Sequence, residues 1–159
     1  MGQLSIGRIG GGDRHTSPLP GVRFKTRGAS LGLTAIRTDE LVRQIERGLP
    51  FKALESFRAL SGLRVPVISS VIGIPERTLA RRKAAGRLAQ DESERLLRIS
   101  IVFEKAVELF EGDVKRAVAW LTNPKKALGN QIPLGYSRTE IGAREVEELI
   151  GRLEHGVFS

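Results

Sequence analysis

The 159-residue chain contains no cysteine, only two histidines and few aromatic residues. The absence of cysteine excludes a disulfide framework, a thiol nucleophile and any zinc site with sulfur ligands. His15 and His155 are too few for a histidine-based metal cage, and we expect neither a metal nor a cofactor. The adjacent Glu147 and Glu148 do not face each other on a helix, so they make a poor acid/base pair. We therefore expect no enzymatic activity.

Long hydrophobic runs are also absent from the sequence. No run approaches the roughly 18 apolar residues that a membrane-spanning helix needs. The N-terminus lacks the order of charged and then apolar residues that is typical of a signal peptide. We therefore expect a cytoplasmic protein without a membrane partner. Its length corresponds to one domain, or to two small domains that share a core.

Positive charge is abundant and unevenly distributed. The net charge is +8, but residues 1–90 hold 16 Lys and Arg against 6 Asp and Glu, which gives +10. Residues 91–159 hold 10 basic and 12 acidic residues, which gives −2. This asymmetry suggests that one end of the protein meets a polyanion. A positive surface that is only solvated is the simpler alternative.

Helical periodicity is missing from residues 1–37, where glycine, proline and basic residues predict a flexible basic arm. From residue 38 onward the apolar pattern predicts an all-α fold. Thr38 is the expected cap of the first helix, and Pro50 is expected to open the second. Ser93 is the expected cap of a long helix over residues 93–111, apolar nearly all round and therefore buried on several sides. Asp113 is the expected cap of the helix that follows it, and Thr139 precedes the last helix.

Residues 65–86 fit a helix-turn-helix, in which a short helix, a glycine turn and a second helix follow one another. Counted from Val65, the small Ser69 is fifth and Gly73 is ninth, where the turn favours a positive φ. The positions expected to be buried hold Ile68, Ile72, Ile74 and Leu79. Arg82 occupies the eighteenth position, where an apolar residue is usual. An ordinary helical hairpin is the alternative interpretation.

The second helix of this motif, expected over residues 75–85, carries the candidate DNA-binding residues Arg77, Thr78, Arg81, Arg82 and Lys83. Four of them, residues 77, 78, 81 and 82, lie within an arc of about 140° at 100° per residue. Arginine can pair with guanine in the major groove or bind phosphate. Only one acidic residue, Glu76, lies nearby, so DNA contact is favoured over a solvated face.

The second half of the chain contains a pattern of small, apolar and turn residues that resembles the toxin-binding domain of the Xre/MbcA/ParS antitoxins. The matching residues are Phe103, Ala106, Gly112, Asp113, Ala117, Trp120, Leu121, Pro124, Ala127, Leu128, Gly129, Pro133, Leu134, Thr139, Gly142, Ala143, Val146, Leu149, Leu153 and Gly156. Upstream, residues 78–82 and 93–98 resemble the helix-turn-helix half of the same family. Two departures are Asn130, which stands where a second glycine is expected, and Gly135-Tyr136, which interrupts a usually more helical stretch after Pro133-Leu134.

This resemblance implies an antitoxin that binds and neutralises a RES-domain toxin, an enzyme that attacks NAD or uses it for ADP-ribosylation. It also implies that the protein binds its own promoter as an autorepressor. We expect a basic arm (1–37), a helix-turn-helix DNA-binding domain (38–90) and a toxin-binding domain (91–159), joined by the long buried helix. Because helix-turn-helix proteins usually bind paired half-sites, we also expect a homodimer.

The candidate toxin-binding residues are Tyr136, in a loop, and the C-terminal residues His155, Gly156, Val157, Phe158 and Ser159. Phe158 lies beside the terminal carboxylate and could plug a nucleotide pocket, or it could fold back onto the last helix. His155 could reach the toxin, or it could be a cation favoured by the helix dipole. The alternative function is a transcriptional regulator whose C-terminal domain only dimerises.

Overall fold

The computed structural model describes residues 21–34 and 37–156, and these residues form an all-helical fold. Within them no β-strand forms, which confirms the predicted fold class. No helix in this part of the chain is long and apolar enough to cross a membrane. Two 3-10 helices span Ala29–Leu31 and Lys126–Leu128. The α-helices are α1 (Thr38–Arg47), α2 (Phe51–Ser61), α3 (Val65–Ile72), α4 (Glu76–Ala85), α5 (Gln90–Leu109), α6 (Val114–Leu121), α7 (Pro133–Tyr136) and α8 (Glu140–Glu154).

Of the predicted helix caps, Asp113 is confirmed and Thr38 and Ser93 are wrong, while Thr139 is a cap that the sequence analysis placed only before its helix. Asp113 accepts the backbone N–H of Arg116, and Thr139 accepts that of Gly142, as capping requires. Thr38 is instead the first residue of α1 and caps nothing. Ser93 lies inside α5, where its hydroxyl donates to the carbonyl of Ala89 and accepts the N–H of Leu49, both at 2.8 Å. The Ser93 hydroxyl therefore binds the buried backbone N–H of Leu49, on another segment, instead of capping α5.

The long helix α5 lies at the centre of one continuous hydrophobic core, as the sequence predicts. It packs against α1 and α3 on the N-terminal side of the chain and against α6 and α8 on the C-terminal side. Its fully buried apolar side chains are those of Leu96, Ile99, Val102, Phe103, Ala106 and Val107. Burial of each large one contributes about 1.5–3 kcal/mol. Phe57 of α2 meets Phe103 edge to face, with ring centroids 5.3 Å apart.

The prediction that residues 1–37 form a flexible arm is wrong for residues 22–34, which are docked on the helical body. Val22 and Phe24 pack against the core, and the Phe24 ring lies 6.0 Å from that of Phe103. Arg23, Lys25 and Arg27 alternate with them and face solvent. This alternation is typical of an extended segment with one buried face. It is difficult to recognise in the sequence because glycines and charged residues surround it. Residues 1–20 and 35–36 of the predicted arm lie outside the described residues.

The docked segment is held by the buried carboxylate of Glu104 in α5. This carboxylate accepts the backbone N–H of Gly28 at 2.9 Å and that of Ser30 at 3.1 Å. The Ser30 hydroxyl also donates to it. Burial raises the pKa of Glu104, and the hydrogen bonds from Ser30 and Gly28 offset the rise only in part. Glu104 therefore gives this segment its fixed place beside α5.

The loop before α7 explains how the chain accommodates Asn130. Gly129 and Asn130 both have a left-handed backbone, with φ of 62° and 63°. Asparagine tolerates this conformation better than most residues, so it can replace the expected glycine. After the loop, α7 and α8 approach closely at Gly142. A Cβ atom added there would collide with the backbone carbonyl oxygen of Tyr136.

The free energy of unfolding should depend on pH because of Glu104. Because its pKa is raised in the folded state, its contribution is fully present below the ordinary value of 4.5 and is lost as the pH rises through the folded pKa. The free energy of unfolding of the wild type, minus that of Glu104→Gln, should therefore fall with rising pH. Urea unfolding of both proteins across this range measures the difference. A difference that is flat or grows with pH would contradict the assignment.

Two alanine substitutions in α8 should have opposite effects. Gly142→Ala should destabilise the fold by about 1–3 kcal/mol, because its methyl group has no room beside Tyr136. Gly151→Ala is the matched control in the same helix, where an added Cβ meets nothing within 4 Å. It should stabilise the fold by up to about 1 kcal/mol through helix propensity. Thermal unfolding of the two variants checks both signs, and equal shifts would show that the α7–α8 approach is not tight.

Candidate nucleic-acid interface and partner surface

Helices α3 and α4 form the tight helix pair that the sequence predicts. Gly73 ends α3 with a φ of 68°, the left-handed conformation expected at the ninth position. The N–H of Ile74 donates to the carbonyl of Ser69 at 3.0 Å, and the Ser69 hydroxyl donates back to the carbonyl of Ile74. The side chains expected to be buried, those of Ile68, Ile72, Ile74 and Leu79, are all buried. The turn is therefore closed and the angle between the helices is fixed.

Helix α4 presents a basic surface to solvent. Arg77, Arg81 and Lys83 are exposed, and Thr78 is half-buried beside them. The guanidinium of Arg81 donates to the Thr78 hydroxyl at 3.3 Å, so these two side chains lie together. Helix α4 begins at Glu76, one residue later than predicted, with Pro75 at its N-cap. We call residues 77, 78 and 81, which lie within an arc of about 100°, the basic face of α4, whereas Lys83 is exposed about 120° from Arg77 on another side of the helix.

Arg82 differs from the other candidate DNA-binding residues because its guanidinium is already bonded. Its Nε and Nη2 donate to the two carboxylate oxygens of Glu92, at 2.7 and 3.3 Å. The Glu92 side chain is 6% exposed and that of Arg82 is 34% exposed. The hydrogen bond and charge of Glu92 raise the pKa of Arg82, which stays charged. At the eighteenth position of the motif, this ion pair stands where an apolar contact is usual.

A second residue of α5 holds the other helix of the pair. Arg95 donates through Nε to the carbonyl of Ile72 at 2.5 Å, at the C-terminal end of α3, and through Nη1 to Asp91 at 3.2 Å. Sequence reasoning identified neither Glu92 nor Arg95 as part of the interface. The spacing of Asp91 and Arg95 is a recognisable helical ion pair. No sequence signal joins Glu92 to Arg82, because they lie on separate helices.

The surface around Tyr136 combines a groove with exposed apolar side chains. Tyr136 is half-buried, and its hydroxyl donates to Glu145 at 3.2 Å, which raises the pKa of Tyr136. A groove of about 570 Å³ runs from Tyr136 and Ile141 to Val71 and Arg95 on the helix-turn-helix side. Ile141 is 76% exposed and Ile132 is 42% exposed, which is unusual for large apolar side chains. We call Tyr136 and Ile141, which line the groove, the apolar rim; Ile132 lies one helical turn before Tyr136 and does not line it.

The sequence-predicted toxin-binding residues do not form one cluster in the described part of the chain. Tyr136 is the last residue of α7, not a loop residue as predicted, and it lies beside the start of α8. His155 and Gly156 are exposed at the other end of α8. The 15-residue helix between them is about 22 Å long at 1.5 Å per residue. The predicted residues Val157, Phe158 and Ser159 lie outside the described residues. Tyr136 and the end of α8 at residues 155 and 156 are therefore two separate places on the surface.

Sequence reasoning missed Ile132 and Ile141. A signal was present for Ile141, because it falls outside the apolar stripe formed by Val146, Leu149 and Leu153 on α8. At 100° per residue it lies about 140° from Val146 around the helix, on the solvent side.

Within the described ranges, no group of three or more acidic or histidine side chains is arranged so that it could hold a metal ion.

Two family models match the chain and together cover most of its described length. Residues 40–100 match the antitoxin Xre-like helix-turn-helix domain. Residues 105–156 match the antitoxin Xre/MbcA/ParS C-terminal toxin-binding domain. The first match contains most of α1, all of α2 to α4 and the basic face, and the second contains the apolar rim. The boundary between the two falls inside α5.

Three curated proteins, each named antitoxin Xre, are similar to the chain. The protein from Yersinia enterocolitica is 40% identical over 143 residues, which cover 89% of this chain and 97% of that relative. The protein from Photorhabdus laumondii is 36% identical over 72% of this chain and 78% of its own length. The protein from Pseudomonas putida is 33% identical over 60% of this chain and 59% of its own length.

Proposed function

Because the chain belongs to the Xre/MbcA/ParS family of antitoxins, we propose that it neutralises a RES-domain toxin and represses its own promoter. Family membership supports an antitoxin with a helix-turn-helix DNA-binding domain and a toxin-binding domain. The RES toxin, which attacks NAD or uses it for ADP-ribosylation, follows from the resemblance stated above. In this proposal the antitoxin supplies no chemistry and inhibits by masking the active site of the toxin.

The proposed DNA contacts are those of the basic face of α4. Arg77 and Arg81 are exposed, and the Arg81–Thr78 hydrogen bond orients one guanidinium on this face. An exposed arginine can bind guanine through two hydrogen bonds or bind a phosphate. The excess of +10 on residues 1–90 would add salt-sensitive attraction to the DNA backbone. Two copies of the chain would bind two half-sites of the operator as a homodimer.

Arg81→Ala should weaken promoter binding and leave toxin neutralisation unchanged. Loss of one base or phosphate contact costs about 1–3 kcal/mol, or roughly 5- to 150-fold in affinity. Fluorescence anisotropy with a duplex from immediately upstream of the protein's own reading frame measures binding. Rescue of growth in cells that express the neighbouring toxin measures neutralisation.

Arg144→Ala is the matched control for this experiment, since Arg144 is an exposed arginine on α8 that pairs with Glu140 at 2.8 Å. It should leave promoter binding unchanged. If Arg81→Ala abolishes neutralisation as well as promoter binding, the two functions do not reside on separate surfaces as we propose.

The proposed toxin contacts lie at both ends of α8. The apolar rim supports a protein partner, because exposed apolar side chains around a groove are typical of interaction surfaces. Tyr136 is of a residue type that often anchors interfaces. At the other end, His155 and Gly156 lead into Val157, Phe158 and Ser159. In this proposal Phe158 and the terminal carboxylate enter the nucleotide pocket of the toxin.

Deletion of residues 156–159 should abolish inhibition of the toxin while the complex still forms. The apolar rim remains in the truncated chain, so co-purification should persist, whereas NAD consumption or ADP-ribosylation by the bound toxin should return. Tyr136→Ala should instead weaken complex formation. Full inhibition by the truncated chain would contradict the plug. Failure of the full-length chain to bind any toxin would favour a regulator whose C-terminal domain only dimerises.

A further inference from the structure

Helix α4 has very little apolar anchorage for a helix that carries a binding surface. Of its ten residues, only Leu79 is buried. Its neighbours Arg77, Ala80, Arg81, Lys83 and Ala84 are exposed to solvent. The ends of α4 are held by the turn at Gly73 and by the bond from the Phe51 N–H to the Gly86 carbonyl, at 2.9 Å. Between these ends, one buried side chain resists rotation of the helix about its own axis only weakly. A second point of attachment on the same side is needed to fix that rotation.

The ion pair between Arg82 and Glu92 supplies this second attachment. Arg82 follows Leu79 by three residues, so both side chains lie on the same side of α4. The guanidinium binds both carboxylate oxygens, and this paired geometry fixes orientation as well as distance. Leu79 and Arg82 therefore hold α4 at two points between its ends.

Glu92 is itself held in place, so it can serve as a rigid support. Its Oε1 accepts the backbone N–H of Ala89 at 2.8 Å, at the start of α5, in addition to the bond from Arg82. The side chain is almost fully buried. Removing the cation from a buried carboxylate costs free energy, because neither water nor another cation replaces the lost interaction. If Arg82 turned toward DNA, Glu92 would be left as such an unpaired buried charge.

We propose that Arg82 is a positioning residue that sets the rotation of α4, so that Arg77, Thr78 and Arg81 face the DNA. Arg82 itself makes no DNA contact. This inference rests on the proposed DNA binding and deepens it, because it separates Arg82, which orients the helix, from Arg77, Thr78 and Arg81, which contact the DNA. It also assigns a function in DNA binding to Glu92, an acidic residue.

Glu92→Gln separates positioning from direct contact because the two models predict opposite signs. Glutamine can still accept the N–H of Ala89, so the start of α5 is retained. If Arg82 only positions α4, the affinity for the upstream duplex should fall about tenfold, through loss of the charged pair. If Arg82 contacts DNA, removal of Glu92 frees the guanidinium and removes a negative charge, and the affinity should rise.

Asp91→Asn is the matched control, because it removes the same charge from the adjacent residue. Asp91 is exposed and pairs with Arg95 rather than with Arg82. Positioning predicts equal or tighter DNA binding for Asp91→Asn and weaker binding for Glu92→Gln. Equal effects in the two variants would overturn the proposal, since the change would then be a matter of net charge alone.

Arg82→Met tests the same division through salt dependence. Loss of a phosphate contact makes the slope of log K against log salt shallower by about 0.9, whereas loss of a positioning residue leaves the slope unchanged. We expect about tenfold weaker binding with the wild-type slope. A shallower slope would mean that Arg82 contacts phosphate and would overturn the proposal.

Amide hydrogen exchange on the free protein provides a readout that does not depend on DNA. Glu92→Gln and Arg82→Met should both speed exchange of the α4 amides, while Arg81→Met, which changes an exposed neighbour, should not. Unchanged exchange in the first two variants would overturn the proposal whatever the DNA results. If exchange behaves as expected but the wild type binds neither the upstream duplex nor a random one, the proposed function fails and the anchoring of α4 by Arg82 stands.

Discussion

The need to satisfy buried polar side chains on α5 determines how the rest of the chain is arranged. Glu92, Ser93 and Glu104 are all buried on this helix. Each binds groups of another segment: Glu92 binds Arg82 of α4, Ser93 binds the backbone of Leu49, and Glu104 binds residues 28 and 30. Because an unpaired buried polar group costs free energy, these segments have one favourable position on α5. Hydrophobic burial drives the collapse, and the polar contacts select the arrangement.

This arrangement places both candidate surfaces on one support. The helix-turn-helix is attached near the start of α5, where Glu92 and Arg95 hold α4 and α3. The C-terminal part is attached farther along, where Arg98 donates to the carbonyl of Arg138 and Lys105 pairs with Glu147. The overall charge of +8 is the sum of two unlike regions, +10 over residues 1–90 and −2 over residues 91–159. The basic excess accompanies the proposed DNA contacts, and the near-neutral half carries the family's toxin-binding domain.

Much of the fold could be predicted from the sequence, because helices and tight turns depend on residues close together in the chain. The period of the apolar residues predicted the helices, and Ser69 and Gly73 predicted the turn between α3 and α4. The errors came from long-range contacts. Ser93 resembles a cap until Leu49 is brought beside it, 44 residues away. The segment around Gly28 resembles a flexible arm until Glu104, 76 residues away, binds its backbone.

The sequence by itself determined the all-helical class, the helix-turn-helix and the family, since each follows from local spacing or from an ordered set of motifs. Only the tertiary structure decided what individual side chains do within these elements. Arg81 and Arg82 are adjacent and chemically identical, yet one faces solvent and the other is bonded to Glu92. The spacing of Ile141 already places it outside the apolar stripe of α8, but only the structure shows that it lines a groove with Tyr136. Local sequence cannot distinguish Arg81 from Arg82, because Glu92, which decides the difference, lies on a different helix.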